Sequence, residues 1–332
     1  MRTGGIDCTR GEMSDKRNRE SGSTSPSVSV IVPTIGRPEL SRALRSVRAQ
    51  RTSSRIELIL VHDGDPSEEI PRPVLALADR VIRTPGRIGG CRARNLGIRS
   101  ATSQLVAFLD DDDEWLPDKL QIQVKLWSES PDPNCTVVAG RQVHVDPRNG
   151  AVSQPGPNRL IRPDETVENY LFRRRSPSGG RSVIYTSTLL CSRDLALKVP
   201  WDESLARHQD WDWLVRLGRH EGIRFVQTSA PVVRIHLGSS QSISATANWR
   251  SSIDWGRKAL REDPHIYADF LVAQPLRYAL ASRSFDGVRS VLSELLNARQ
   301  VPSLGPTIIG VAGLLPRRVI ERATVSTGGK RG

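Results

Sequence analysis

Four consecutive carboxylates, Asp110 to Asp113, are the residues of this sequence whose spacing most clearly indicates chemistry. They follow Leu105-Val-Ala-Phe-Leu109, an apolar run with the length and composition of a buried strand. Adjacent like charges raise one another's pKa unless something neutralises them. A hard divalent cation such as Mg²⁺ or Mn²⁺ binds oxygen ligands of this kind. The run therefore predicts a metal site at the end of a strand.

The alternative is a solvated acidic turn that caps a helix beginning near Pro117. Apolar residues on both sides argue against it, since Phe108-Leu109 precede the run and Trp115-Leu-Pro117 follow it. These neighbours fix the turn to the core. Ligands of open α/β sheets bind just beyond the carboxyl ends of strands. We therefore favour the metal site, with Mn²⁺ or Mg²⁺ as the cofactor.

The elements around the acidic run alternate between strands and helices. Val28 to Pro33 and Ile56 to Val61 are short apolar runs typical of buried parallel strands. Apolar residues at helical spacing follow the first strand and the acidic run: Leu40, Ala43, Leu44 and Val47, then Leu116, Leu120, Val124 and Trp127. This alternation predicts an α/β fold, with a mostly parallel central sheet and helices on both faces.

The organisation changes along the chain. Residues 1–26 are polar and predict a disordered leader, not a signal peptide. The strand–helix alternation falls within residues 27–240. Residues 241–332 predict a mainly helical C-terminal extension, in which Pro264 and Pro275 are expected to break helices. No apolar run approaches the ~18–20 residues that a membrane-spanning helix needs.

Charge and cysteine content limit the partners and the compartment. The formal net charge is +12, which suits nucleic acid, anionic membrane or phosphorylated ligands. Its basic residues are dispersed, however, and aromatic residues make up only 5% of the chain. The four cysteines form no C-x-x-C pair, so neither a zinc site nor a disulfide framework is indicated. A reducing cytoplasm fits best.

Six motifs occur along the chain in this order: Val28 to Pro33, Leu60-Val-His-Asp-Gly64, Gly90-Cys-Arg-Ala-Arg-Asn95, Phe108 to Pro117, Trp201-Asp-Glu-Ser-Leu205 and Gln209-Asp-Trp-Asp-Trp-Leu-Val-Arg216. Together they resemble the nucleotide-sugar domain of family 2 glycosyltransferases, which have the GT-A fold. The resemblance covers roughly residues 28–240. It implies a GT-A-like domain over residues 27–240 and an enzyme that moves a sugar from a nucleoside-diphosphate sugar.

The resemblance implies a set of donor-binding residues: Pro33, Thr34, Arg37, Asp63, Arg94, Asp110 and Asp111. Asp63 matches the carboxylate that accepts from the uracil imide, so a UDP-sugar is favoured, although His62 stands where the family usually has Asp. Arg94 matches the basic residue near the donor phosphates. Asp112 matches the last, metal-binding carboxylate of the family's D-x-D region. His236 lies where members often have a histidine near the metal or diphosphate.

Asp210 falls on the family's E-D position, whose Asp is the catalytic base, with Gln209 in place of Glu. The resemblance implies that Asp210 takes the proton from an acceptor hydroxyl as it attacks the anomeric carbon and inverts it. Asp is also favoured as a helix N-cap, and this is the alternative for Asp210. For His236, a structural role at a strand end is the alternative.

Two other functions remain as alternatives. A sugar nucleotidyltransferase shares the sheet and the acidic site, but it would carry a glycine-rich loop directly after the first strand. Here that loop, Thr34 to Pro38, has one glycine. A nucleic-acid-binding protein would carry a basic stripe with interleaved aromatic residues, which is absent from the sequence. We therefore expect no nucleic-acid partner.

The acceptor is expected to be a glycan or a lipid-linked molecule, in cell-envelope or other glycan synthesis. Ile308 to Leu315 is apolar, and Arg317, Arg318 and Arg322 follow it. This order suits a segment at an anionic membrane surface, and it equally suits a segment packed on the helices before it. We expect a cytoplasmic protein, with peripheral contact at the inner face of the cell membrane as the first alternative.

Overall fold

The computed structural model describes residues 25–173, 182–237 and 248–314. Eight strands of these residues form one sheet: β1 (Val28–Thr34), β2 (Ile56–His62), β3 (Arg80–Arg83), β4 (Leu105–Phe108), β5 (Glu114–Trp115), β6 (Thr136–Val145), β7 (Leu190–Ser192) and β8 (Arg224–His236). The predicted leader lies almost wholly outside the described residues. The predicted domain boundary at residue 240 and the arginines after residue 314 also lie outside them.

The strand order in the sheet is β3-β2-β1-β4-β7-β6-β8-β5. β1 pairs in parallel with β2 and β4, β2 with β3, and β6 with β8. β7 runs antiparallel to β4 and β6, and β5 runs antiparallel to β8. The predicted α/β fold with a mostly parallel sheet is confirmed. Because β1, β2 and β4 are parallel neighbours, their carboxyl ends meet at one edge of the sheet.

Twelve α-helices surround the sheet in the described residues: α1 (Leu40–Arg48), α2 (Arg72–Leu75), α3 (Gly90–Ser100), α4 (Lys119–Ser128), α5 (Val167–Phe172), α6 (Arg193–Lys198), α7 (Gln209–Gly218), α8 (Trp249–Ala259), α9 (Pro264–Leu271), α10 (Arg277–Ala281), α11 (Phe285–Ala298) and α12 (Leu304–Val311). A π-helical segment, Val272–Leu276, joins α9 to α10. The last five helices form the predicted C-terminal helical region.

Alternate residues of β1 enter different cores, because successive side chains of a strand point to opposite faces. Val30 packs in one core with Leu44 of α1, and Ile31 packs in the other with Ile98 of α3. Gly97 allows α3 to approach the sheet closely, since a Cβ there would lie 2.4 Å from Cγ2 of Ile31. Helices therefore cover both faces, as predicted.

The C-terminal helices share a core with the domain before them. Trp249 and Trp255 of α8 and Phe270 of α9 belong to the same buried cluster as Trp213 of α7. The Trp255 indole N–H also donates to Asp212, in the first turn of α7, at 3.1 Å. The extension is thus attached directly to the helix that carries Asp210.

The two prolines expected to break helices behave differently. Pro264 starts α9, where the Asp263 side chain accepts from the backbone N–H groups of His265 and Ile266. The prediction for Pro275 is wrong, because this proline lies inside the π-helical segment and the helix continues into α10. Proline lacks the N–H of a regular helical hydrogen bond, and the wider π-turn changes that bonding pattern locally.

Candidate active site

The acidic run forms a turn at the carboxyl end of β4, facing the loop that follows β1. The Thr34 hydroxyl donates to Asp111 Oδ2 at 2.6 Å. Arg37 Nη1 lies 3.0 Å from Asp111 Oδ1 and 2.8 Å from Asp112 Oδ2. Arg42 donates to the Asp112 carbonyl at 2.8 Å. The structure thus brings together four predicted site residues: Thr34, Arg37, Asp111 and Asp112.

Burial is the main influence on the protonation of this turn. It raises the pKa of Asp111 to about 6, although Arg37 and the Thr34 hydroxyl oppose the increase, and the charges of Asp112 and Asp110 add smaller increases. The pKa of Asp113 is also raised, by burial and then by Asp110 and Asp112. Asp111 and Asp113 therefore bind protons more readily than ordinary aspartates do.

Arg94, in the second turn of α3, connects the acidic turn with α7. Its Nη2 lies 2.6 Å from Asp110 Oδ1, and its Nη1 donates to Gln209 Oε1 at 3.4 Å. Its guanidinium lies over the Trp201 ring, 4.9 Å from the centroid. Burial acts to lower the pKa of Arg94, but the charges of Asp110 and Asp210 outweigh it and raise the pKa. This buried cation therefore lies between two carboxylates from different elements.

Asp210 is the second residue of α7, and the N-cap is His208. Burial raises the pKa of the Asp210 carboxyl, Arg94 opposes the increase, and Asp110 adds to it. The Thr186 hydroxyl exerts a further, smaller lowering influence on this pKa. A carboxylate with a raised pKa is a better proton acceptor than an ordinary one at neutral pH. Its position also removes the simplest form of the capping alternative, in which Asp210 is itself the N-cap.

Asp63, at the end of β2, holds the glycine loop that leads into α3. Its Oδ1 accepts from the Thr84 hydroxyl at 2.6 Å and the Ile88 N–H at 2.8 Å, and its Oδ2 accepts from the Gly89 N–H at 2.9 Å. In the neighbouring strands β1 and β2, Pro33 pairs with Val61, which lies two residues before Asp63. Asp63 therefore has a structural task, and its role toward a uracil base stays a prediction.

His236 ends β8 beside the acidic turn. Its Nε2 lies 3.4 Å from Glu114 Oε2, and its backbone N–H is hydrogen-bonded to the Asp113 carboxyl. Burial, followed by the charge of Arg42, lowers the pKa of the His236 imidazole. A neutral imidazole is the form that binds metals. His236 thus lies near the turn, with its ring directed to Glu114.

The carboxylates of the turn are hard oxygen donors of the kind that Mg²⁺ and Mn²⁺ prefer. Within the described ranges, no group of three or more His, Cys, Asp or Glu side chains is arranged to hold a metal ion. Asp112 is 18% exposed and contacts Arg37, so a cation would take over a carboxylate that an arginine now neutralises. The donor chemistry of the turn fits a divalent cation, and Asp110, which is 35% exposed, and Asp112 are its more accessible carboxylates.

His208 is a residue of this region that sequence reasoning missed. It has a φ of 60° at the start of α7, a conformation that non-glycine residues rarely adopt. Its ring stacks on Trp211, with centroids 4.7 Å apart, and its Nε2 lies 2.7 Å from the Ser252 hydroxyl of α8. Burial and the charges of Arg207 and Arg277 lower the pKa of His208 to about 3. No pattern in the sequence marks it.

Comparisons with known proteins agree on one family. Residues 29–188 match the glycosyl transferase family 2 model. The amylovoran biosynthesis glycosyltransferase AmsB of Erwinia amylovora is 26% identical over 272 residues, which are 78% of this chain and 86% of that protein. The putative colanic acid biosynthesis glycosyl transferase WcaA of Escherichia coli is 36% identical over 103 residues, 30% of this chain and 37% of that protein.

One solved structure is similar over most of the chain. Residues 1–349 of S. aureus TarS, in complex with UDP-GlcNAc, superpose with a TM-score of 0.56 at 14% identity. The match covers 91% of this chain and 89% of that one. At this identity the likeness concerns the fold, and it confirms the predicted GT-A-like class.

Proposed function

We propose that this chain, whose residues 29–188 match the glycosyl transferase family 2 model, is an inverting glycosyltransferase that uses a nucleoside-diphosphate sugar. The position of Arg94 carries the proposal. It is a buried cation in contact with Asp110 of the acidic turn and in favourable electrostatic interaction with Asp210 of α7. The reaction needs a diphosphate leaving group and a proton acceptor on opposite sides of one reacting carbon. Arg94 interacts both with the acidic turn and with Asp210, the candidate proton acceptor.

The proposed chemistry assigns separate tasks to Arg94 and Asp210. Arg94 stabilises the negative charge that develops on the diphosphate as the glycosidic bond breaks. Asp210 takes the proton of the acceptor hydroxyl as its oxygen attacks the anomeric carbon. Attack from the face opposite the leaving group inverts that carbon. The raised pKa of Asp210 supports its assignment as the base.

We propose a UDP-sugar as the donor. The loop after β1 would contact the nucleotide through Pro33, Thr34 and Arg37, and Asp63 would accept from the base. The solved relative TarS, which shares the fold, is described in complex with UDP-GlcNAc. Asp110 and Asp111 would bind the ribose side of the donor, next to Arg94 and Arg37.

We propose Mn²⁺ or Mg²⁺ as the cofactor, held by Asp112 with His236 nearby. When bound, a divalent cation supplies positive charge to the diphosphate leaving group. Arg37 contacts both Asp111 and Asp112, and it would keep Asp111 as a partner when Asp112 turns to the cation. Arg37 and the cation would then balance the negative charge of the turn when donor is bound, and Arg37 would balance it when donor is absent.

We propose a glycan or lipid-linked acceptor in the synthesis of an extracellular polysaccharide. AmsB and WcaA, which resemble this chain, are named for the biosynthesis of amylovoran and colanic acid. We place the enzyme in the cytoplasm, at the inner face of the cell membrane. None of the helices in the described ranges has the length and apolar character to cross a membrane.

A panel of nucleotide sugars tests the proposal. The protein is incubated with each sugar, with and without Mn²⁺, and release of the nucleoside diphosphate is measured. We expect release from a UDP-sugar, dependent on the cation. A nucleotidyltransferase would instead consume the nucleotide sugar only with pyrophosphate and would produce a nucleoside triphosphate. Binding to DNA that persists at ~150 mM salt would favour the nucleic-acid alternative.

A further inference from the structure

The outer face of α12 is apolar. Three of its large side chains, at a spacing of four and three residues, are exposed: Leu304 by 68%, Ile308 by 47% and Val311 by 50%. The buried positions of the same helix are Gly305, Pro306 and Gly310. An ordinary surface helix turns its large apolar residues inward. α12 has the reverse arrangement.

The small inner residues of α12 explain how it can pack without its large ones. A Cβ at Gly310 would lie 2.3 Å from the carbonyl oxygen of Val272, in the π-helical segment. A Cβ at Gly313, just after α12, would lie 2.5 Å from the carbonyl oxygen of Arg277. Backbone therefore lies on backbone at this contact. The outward residues of α12 contribute little to holding it in place.

α11 repeats the pattern. Gly287 and Val291 are its buried residues, and a Cβ at Gly287 would lie 2.7 Å from the Ala279 Cβ. Phe285 is 83% exposed, and Leu292 and Leu296, which follow on the same helix face, are 52% and 78% exposed. Phe285, Leu292, Leu296, Leu304, Ile308 and Val311 are together named the C-terminal apolar surface.

Positive charge accompanies this surface. From residue 277 to residue 314, the last of the described residues, the chain has four arginines and two acids, Asp286 and Glu294. One of those acids, Glu294 of α11, is already paired with Arg257 of α8 at 2.7 Å. Arg289 is exposed on α11, between Phe285 and Leu292. The region thus combines exposed apolar side chains with an excess of cations.

We propose that the C-terminal apolar surface binds an anionic membrane. Apolar side chains from two helices would enter the boundary between head groups and acyl chains, and the arginines would contact the anionic head groups. Exposed apolar groups of this extent on soluble proteins mark interaction sites. A second copy of the chain fits less well, because a twofold interface would place one positive surface against another. The proposal rests on the proposed function and names the surface through which the enzyme would contact the membrane.

Vesicle flotation tests the proposal on the full chain, without donor. Vesicles of phosphatidylcholine, with or without phosphatidylglycerol, are mixed with the protein and floated on a density gradient. The wild type is expected to float with the anionic vesicles, and less so at high salt. The triple variant Leu292→Ser, Leu296→Ser and Ile308→Ser is expected to lose roughly tenfold or more in partitioning, because its apolar side chains no longer enter the lipid.

The matched control replaces exposed apolar residues elsewhere, Val152→Ser and Leu197→Ser, which are 56% and 38% exposed in the wild type. It should float like the wild type. A second test, Arg289→Glu with Arg299→Glu, at two exposed arginines of the same region, leaves the apolar surface intact and should remove the preference for anionic vesicles. This variant keeps the proposal testable if the triple variant does not fold.

Three outcomes would overturn the proposal: a wild type that stays at the bottom of the gradient, variants that float as well as the wild type, or a dimer that the triple variant abolishes without any vesicle binding. The last outcome assigns the surface to a second copy. Donor turnover in solution is measured separately, so failure of the membrane proposal leaves the proposed sugar transfer untouched, and the reverse also holds.

Discussion

The guanidinium of Arg94 lies 2.6 Å from the carboxylate of Asp110, and the arginine side chain is only 9% exposed. A buried ion pair loses much of its Coulombic gain to desolvation, so such pairs are poor evidence of stabilisation. Here the same arginine also reaches Gln209 at the start of α7. The pair therefore links α3, the acidic turn and the helix of Asp210, which is the arrangement expected of a site that positions charge.

Arg94→Lys is expected to reduce turnover roughly 10²–10³-fold, the usual cost of removing one electrostatic stabiliser of developing charge. Lysine keeps the charge but lacks the planar fork that contacts two partners at once. The measurement is kcat for nucleoside-diphosphate release, with thermal unfolding alongside. Arg92→Lys is the matched control, since Arg92 is 55% exposed and pairs with Glu203. Equal kcat values for the two variants would exclude a catalytic task for Arg94.

Asp112→Asn is expected to abolish the stimulation of turnover by Mn²⁺ or Mg²⁺, because an amide is a much weaker ligand than a carboxylate. EDTA should inactivate the wild type, and added cation should restore it. The control is Asp118→Asn, an exposed residue of the same segment whose side chain makes no capping hydrogen bond. If the Asp112 variant keeps a full response to the cation, Asp112 is not a ligand.

Asp210→Asn is expected to lower kcat by roughly 10²–10⁴, the usual contribution of a general base, with donor affinity nearly unchanged. Its effect on stability also depends on pH, which a capping role that Asn preserves would not. Because the pKa of Asp210 is raised in the fold, the unfolded chain ionises more readily, and the wild type loses stability as pH rises from about 4. The variant lacks this loss.

Chemical denaturation of both proteins at pH 5 and pH 8 measures that difference. The variant should be at least as stable as the wild type at pH 8. Because Asn caps a helix about as well as Asp, a capping role predicts little change in stability at either pH value. A variant that matches the wild type in stability at both pH values and turns over the donor normally would show that capping is the only task of Asp210.

The sequence was sufficient to predict strands β1, β2 and β4 and the acidic turn that follows β4. β1 and β4 are short apolar runs buried on both faces, and such runs carry a strong local signal. Thr34, Arg37 and Asp112 meet because β1 and β4 are parallel neighbours whose carboxyl ends coincide, which follows from the predicted fold class. These features depend on local pattern and simple topology.

Other features depend on contacts between distant residues. Pro275 is tolerated through a π-helical segment that no local rule predicts. The arginines that neutralise Asp110 and Asp112 come from α3 and from the loop after β1, so their pairing depends on the tertiary structure and not on local sequence. The exposed apolar faces of α11 and α12 likewise depend on tertiary packing, because the small residues of these helices are the buried ones. The contacts of His208 also join residues that are far apart in the sequence.

His208→Asn tests whether the C-terminal helices position the catalytic helix. Asparagine tolerates the positive φ at this position but loses the stack on Trp211 and alters the contact with Ser252. We expect kcat to fall several-fold, with the KM for donor little changed, because α7 would carry Asp210 less accurately. His265→Asn, at an exposed histidine of α9, is the control.

The pH dependence of stability gives an independent measurement of the same residue. The fold keeps His208 neutral, with a pKa of about 3, so its contribution is complete above about pH 6.5, the ordinary value, and is lost as pH falls toward 3. The free energy of unfolding of the wild type should therefore approach that of His208→Asn on acidification. If the two curves stay parallel between pH 7 and pH 4, His208 is not held neutral by α8, Arg207 and Arg277, and its proposed positioning task fails.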